Sequence, residues 1–232
     1  MAAFFSEVLD EFLTSVFLEG VRRKFHYGEI QKAEFQAVAE EMLPLMRGEA
    51  FWERKEFSVQ NTYGTEMPDR AEEKVVMSLG NGVDDLQESY SKKGMLSQSY
   101  MLEALASELL MRGYHAYNRY ISENTDWHVA RYHFPGSEES FPLEMLPQLL
   151  KGFAQRITCN AAFCLLPKKS VIFVSELTKN EKIHCRGICI GCDNLSCPNR
   201  VADNDPVKRR MDELADMPLT YGYHRILGNI RQ

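Results

Sequence analysis

Four cysteines, Cys185, Cys189, Cys192 and Cys197, fall within thirteen residues of the chain. Thiolate is a soft ligand, and four at this density can surround one compact inorganic centre. Gly187 and Gly191 let the backbone wrap closely and leave amides free to donate to sulfur. Pro198 follows the last cysteine, the Cys-Pro ending of ferredoxin-type runs. These features point to an iron–sulfur cluster of the 4Fe-4S type. Zinc is the alternative. It too takes four cysteines, but its sites usually pair two short knuckles across a longer loop, and here every gap is four residues or fewer. Free or disulfide-linked thiols are the third reading. Cys185, Cys189 and Cys192 also share the CxxxCxxC spacing of a class of radical enzymes. That motif opens a large barrel, for which the forty residues after Cys192 leave no room. His184 is a candidate alternate ligand. Cys159 and Cys164 sit in an apolar stretch and read as small buried residues.

Composition narrows the classes. The chain has 232 residues, 44% apolar and 26% charged, ordinary proportions for a globular protein with a proper core. Lys and Arg total 27 against 33 Asp and Glu, a net charge of -6. That balance argues against a general nucleic-acid binder. The longest apolar run, Ala161 to Leu166, is six residues, while a membrane-spanning helix needs about 20. No basic region precedes an apolar stretch at the N-terminus, so no secretory signal is expected. The expected compartment is the reducing cytosol, where structural disulfides are rare. A tight cysteine cluster there reads as a metal site first. The sequence holds no P-loop, GxGxxG or HExxH motif.

The elements that must position such a centre follow from periodicity. Residues 4–25 carry Phe5, Val8, Leu9, Phe12, Leu13, Val16 and Phe17 at helical spacing, with Ser6 as N-cap. Arg22-Arg23-Lys24 reads as a solvated helix end. A second helix is expected from Ile30 to Met46. Residues 47–72 are polar and mixed. A short strand, Lys74 to Leu79, ends in Gly80-Asn81-Gly82, and helical spacing resumes at Asp84. Ser97 to Tyr120 is the strongest helical pattern, with Met101, Leu102, Leu105, Ala106, Leu109 and Leu110 as its stripe. Trp127–Phe134 alternates as a strand, Leu143–Phe153 reads as a helix, and Asn160–Leu166 and Ser170–Val174 read as strands about a Pro167-Lys168-Lys169 turn. A last helix is expected at Pro206–Ala215, before Tyr221-Gly222-Tyr223. Interspersed helices and strands make the class α+β. The expected division is an α+β domain over 1–180, helical over 1–70, and a cysteine-rich segment over 181–232.

Four segments in order resemble the S-adenosylmethionine-binding activation domain of cobalamin-dependent methionine synthase, and more narrowly its short stand-alone relatives. Val75-Val-Met-Ser-Leu-Gly-Asn-Gly-Val-Asp84 is similar to the family's "TLG-x-x-VD". Met101-Leu-Glu-Ala-Leu-Ala-Ser-Glu-Leu109 is similar to "ALADRLAE". Arg131-Tyr-His-Phe-Pro-Gly-Ser-Glu-Glu-Ser-Phe-Pro-Leu-Glu144 is similar to "RFSPGYGDFPLE". Ile157-Thr158 through Leu166-Pro-Lys-Lys-Ser-Val171 is similar to "VTLTESxxMxPRKSV". Cys189-Ile-Gly-Cys192 and Cys197-Pro-Asn-Arg200 match the cysteine-rich ending of the stand-alone branch. The resemblance covers residues 74–200.

The resemblance implies a twisted, largely antiparallel sheet flanked by long helices, with a cysteine-rich C-terminal appendage. It implies that Arg131, Pro135 and Gly136 contact S-adenosylmethionine. The ligand loop is one residue longer than the family's, Ser137 stands in place of its tyrosine, and Met111 in place of an acidic residue on the helix. With no cobalamin-binding loop of its own, such a chain acts on the corrinoid of a partner methyltransferase. The expected function is to support that partner's reductive reactivation, with the iron–sulfur cluster as electron source. The alternative is a non-catalytic scaffold or small-molecule sensor with a structural zinc site.

Overall fold

The computed structural model describes residues 3–60, 66–137, 141–153, 156–182 and 185. Six helices are found there: α1 (Ala3–Asp10), α2 (Ser15–Lys24), α3 (Lys32–Met42), α4 (Asn81–Lys92), α5 (Leu96–Asn124) and α6 (Leu146–Leu149). The strands are β1 (Glu49–Gln60), β2 (Glu66–Ser78), β3 (His128–His133), β4 (Thr158–Cys159), β5 (Leu165–Leu166) and β6 (Ser170–Thr178). Four form one sheet of order β1-β2-β6-β3, and β4 and β5 form a separate two-stranded ribbon. β3 runs antiparallel to β6. β2 does the same, since the Leu79 amide donates to the Lys169 carbonyl, Ser170 bonds Ser78, and Ser175 donates to the Glu73 carbonyl. The expected α+β class with an antiparallel sheet is observed. Among the described residues no helix is long and apolar enough to cross a membrane.

The chain forms two compact units from interleaved stretches. The first takes Met1–Phe51, Val76–Tyr117 and Phe153–Val171. Its core is aromatic and sulfur-rich: Phe5, Phe12, Phe17, Phe35, Met42, Met77 and Met101 have no more than 1% exposure. The expected single helix over 4–25 is broken. The Thr14 hydroxyl accepts from the Phe17 amide at 3.2 Å and caps a new helix, and Ser6 lies inside α1 rather than at its cap. A side-chain acceptor there offers the backbone an alternative to continuing the turn.

Arg22 is not a solvated end residue. It is 7% exposed, donates twice to Glu19 at 2.8 and 2.9 Å, and reaches Glu29 and the Tyr27 carbonyl. Its hydrogen bonds, with those of Arg23, hold the Glu19 carboxyl down at about 2. Lys24 pairs with Glu108 on α5 at 2.8 Å.

Of the expected strand over 160–166 only Leu165–Leu166, β5, is a strand, and the residues before it make the tight turn of the ribbon. The Asn160 carboxamide accepts from the amides of Ala162 and Cys164, both at 2.9 Å, and Phe163 has φ 58. Consequently Cys164 is exposed and Cys159 half-buried, not the buried pair expected.

The second unit takes Trp52–Val75, Asn118–Gly152 and the described chain from Ile172. The mixed stretch over 47–72, placed in a helical part by the sequence reading, supplies β1 and most of β2. It shows no apolar alternation because its charges pair: Arg54 donates to the fully buried Glu73 at 3.0 Å, and Lys74 meets Glu53 at 2.8 Å. The 143–153 stretch is one α-turn, α6, between two 3-10 turns. Pro147 removes the amide that a longer helix would use. The expected helix at 206–215 and the Tyr221–Tyr223 tail lie outside the described residues.

Gly82 stands in the first turn of α4, where a Cβ would come 2.4 Å from the Leu45 carbonyl oxygen. Alanine would gain helix propensity but collide with backbone. Gly82→Ala is expected to destabilise the protein by about 2 kcal/mol, read as a lowered midpoint in urea denaturation. An unchanged or raised midpoint contradicts this packing.

Candidate functional site

β3 gathers most of the residues singled out from the sequence. It is an edge strand, next to β6 alone in the sheet order. Arg131 lies on it. Pro135 and Gly136 lie in the turn that follows, where the Ser137 hydroxyl and amide both donate to the Phe134 carbonyl, at 2.7 and 3.0 Å. Gly136 has φ +82, a conformation L side chains rarely adopt, and its amide donates to the Phe141 carbonyl at 2.7 Å. The turn is therefore fixed immediately beyond the strand. Cys185 reaches the same strand, its amide donating to the Val129 carbonyl at 2.9 Å. It is half-buried. Cys189, Cys192 and Cys197 lie outside the described residues, as does His184. Among the described residues no group of three His, Cys, Asp or Glu is arranged to hold a metal.

The ends of β3 and β6 are pinned together. Lys179 pairs with Asp126 at 2.7 Å and sits 4.9 Å from the centre of the Trp127 ring. The Lys179 hydrogen bond lowers the Asp126 carboxyl below its ordinary range. Tyr132 packs edge-on against Phe173, with ring centres 5.3 Å apart. Trp127 and Tyr132 are buried.

The opposite face of these strands carries ionisable groups. Arg131 is the register partner of Glu176 on β6, and a bulge lies between Val129 and Arg131. His133, two residues on, bonds Glu176 through Nε2 to Oε1 at 2.7 Å, with side-chain exposures of 4% and 6%. Glu176 Oε2 is buried without a hydrogen bond, and so is Arg131 Nε. Arg131 and Glu176, though cross-strand partners of opposite charge, form no ion pair with each other. Counting from the Ser175–Glu73 and Ser170–Ser78 bonds, Glu72 on β2 stands across from Glu176 on its other side. Glu72 is 2% exposed. A row of carboxylate, carboxylate and guanidinium thus crosses three strands.

Arg131 was singled out through the resemblance, while no role was expected for Glu176, Glu72 or His133. A signal for Glu176 was present: it is the one charged residue in the otherwise apolar or hydroxylic run from Ser170 to Thr178, and a charge inside a fully buried strand needs a reason. Comparison with protein-family models and with curated proteins finds no match to this chain.

Removing one partner of a buried pair leaves an uncompensated polar group. His133→Ala is expected to cost about 3 kcal/mol. Replacing both partners with apolar residues, His133→Leu with Glu176→Leu, is expected to cost less than the single change. Chemical denaturation of the three proteins checks this, and a double variant weaker than the single one contradicts a buried pair.

Proposed function

We propose that this chain supports the reductive reactivation of a corrinoid-dependent methyltransferase, with S-adenosylmethionine as methyl donor. The reading rests on the four ordered segments of resemblance, and one observation carries it furthest. Arg131, the residue that the resemblance assigns to the ligand, has a buried Nε with no hydrogen bond. An unanswered buried donor is costly, and a ligand carboxylate could answer it with two parallel acceptors. The fixed turn at Pro135–Gly136 supports the same reading, since ligand-holding backbone must not move.

Cys185, Cys189, Cys192 and Cys197 would hold an iron–sulfur cluster that supplies single electrons at low potential. The partner's cob(II) corrinoid would accept one electron and become cob(I). Its cobalt would then take the methyl group from the sulfonium, so that a Co–C bond forms, the S–C bond breaks and S-adenosylhomocysteine leaves. The chain's own groups would orient the donor and keep its carboxylate fixed.

Met111 favours a second reading. It stands where the resemblance expects an acidic ligand contact, and this loss suits a non-catalytic scaffold or sensor whose cysteines hold structural zinc.

Anaerobic purification with iron, zinc and sulfide analysis separates the two. The expected result is about four irons per chain with a broad absorption near 400 nm, lost in Cys192→Ser, and reduction of a cob(II) methyltransferase. Stoichiometric zinc without visible absorption, and unfolding on chelation, would sink the redox reading in favour of the scaffold.

A further inference from the structure

We infer that a cavity of the first unit, lined by Arg47 and Arg156 beside the start of α4, is a binding site for a phosphate group. It goes beyond the proposed function and uses none of the residues given to S-adenosylmethionine, which carries no phosphate.

The cavity has a volume of about 450 Å³, within the range of small-molecule sites. Two guanidinium groups, of Arg47 and Arg156, and one carboxylate, of Glu49, line it. That is a local excess of positive charge in a chain whose net charge is -6. Among the described residues the Arg47 side chain has no hydrogen bond or ion pair, although its backbone is fixed by an amide bond of 2.8 Å to the Leu79 carbonyl. Arg156 Nη1 stands 3.6 Å from Glu49 Oε1, too far for a hydrogen bond. Its guanidinium lies 4.3 Å from the centre of the Phe51 ring. Stacking of this kind holds the group by its face and leaves the N–H donors of its edge for an anion.

The first turn of α4 forms another wall. Its N-cap, Gly80, supplies no side-chain cap, and the first amides of a helix have no partner inside it. Asp84, the acid of that turn, is not in the lining and accepts from the Lys168 amide at 2.6 Å. Two glycines let this turn press against Arg47. A Cβ on Gly80 would stand 2.7 Å from the Arg47 Cβ, and one on Gly82 would strike the Leu45 carbonyl.

A phosphate suits this set better than a carboxylate. One arginine edge occupies both oxygens of a carboxylate, whereas the terminal oxygens of a phosphate answer two edges and the amides together. A cation is repelled. The volume exceeds that of a phosphate, and Pro44, Leu45 and Pro167 offer an apolar wall to the remainder of a small ester.

Titration calorimetry on the full chain at low salt tests this, with inorganic phosphate, AMP and adenosine, which lacks the phosphate. AMP binding more tightly than both others assigns the site to an ester, and inorganic phosphate binding at least as tightly as AMP assigns it to free phosphate. Arg47→Gln and Arg156→Gln are expected to weaken the binding about tenfold each, and added salt to weaken it in the wild type. Arg156→Lys, which keeps the charge without the paired donors, takes the place of Arg156→Gln if that variant is unfolded. Glu49→Gln removes the lone carboxylate of the lining and is expected to tighten binding about threefold. Lys92→Gln, which breaks an exposed pair with Glu88, is expected to leave it unchanged. Thermal melting shows which variants are folded. The inference is overturned if inorganic phosphate does not bind at millimolar concentration and AMP binds no more tightly than adenosine. Folded arginine variants that bind within twofold of wild type overturn it equally.

Discussion

One extra residue in β3 decides what chemistry the second unit contains. Val129 pairs with Leu177 and Arg131 with Glu176, so two steps along β3 correspond to one along β6, and Ala130 is the bulged residue. Side chains alternate with a period of two, and a one-residue slip exchanges the faces of everything beyond it. Without the bulge, Ala130 would stand opposite Glu176, and Arg131 and His133 would fall on the side of Tyr132's present neighbours. With it, Arg131 and His133 share a face with Glu176, while Tyr132 is free to pack on Phe173. The aromatic core and the polar row are two consequences of the same shift.

The cost of that row must be met by the rest of the strand pair. β6 is buried at eight of its nine positions, and Glu176 among them is 5% exposed. A buried carboxylate is expensive even when paired, and here one oxygen has only the imidazole of His133. What keeps the strands from relaxing is apolar and local: Phe173, Val174 and Leu177 are buried on either side, and Lys179 with Asp126 and Trp127 fastens the far end. The same edge receives the Cys185 amide two residues from Arg131. Cys185, the first of the four cysteines, is therefore held to the strand that bears Arg131.

The sequence was readable where one face alone was apolar. α5 carries an unbroken stripe from Met101 to Leu110 and was placed within a few residues of its ends, because nothing in it competes with the helical hydrogen bonds. The break at Thr14 was hidden, since the apolar spacing runs straight across it while a single hydroxyl makes the cap. β1 and the part of β2 before Lys74 were hidden for another reason. Their charged residues answer one another across strands, as Arg54 does Glu73, and a period read from hydrophobicity cannot see charges that are satisfied in place. Cys159 and Cys164 were misjudged because alternation was counted through Asn160, whose side chain turns the chain instead. Arg131, Pro135 and Gly136 were reachable only through the resemblance, and the row around Arg131 depends on a bulge that no single-strand pattern encodes.

The departures from the resembled family also change meaning once the row is known. Met111 in place of an acid, taken alone, says that a ligand contact has been lost. Helix α5, however, is shaped by packing in this chain: Gly113 on it leaves room for Met77 and Phe5, which a Cβ would approach to 2.7 and 3.1 Å. The carboxylate with an oxygen still to satisfy is on β6. A function that needs one carboxylate and one guanidinium at fixed separation is served better by adjacent strands than by a helix and a loop. Cross-strand spacing is set by the backbone ladder itself, and side chains buried between packed neighbours have few rotamers left to lose when a ligand arrives.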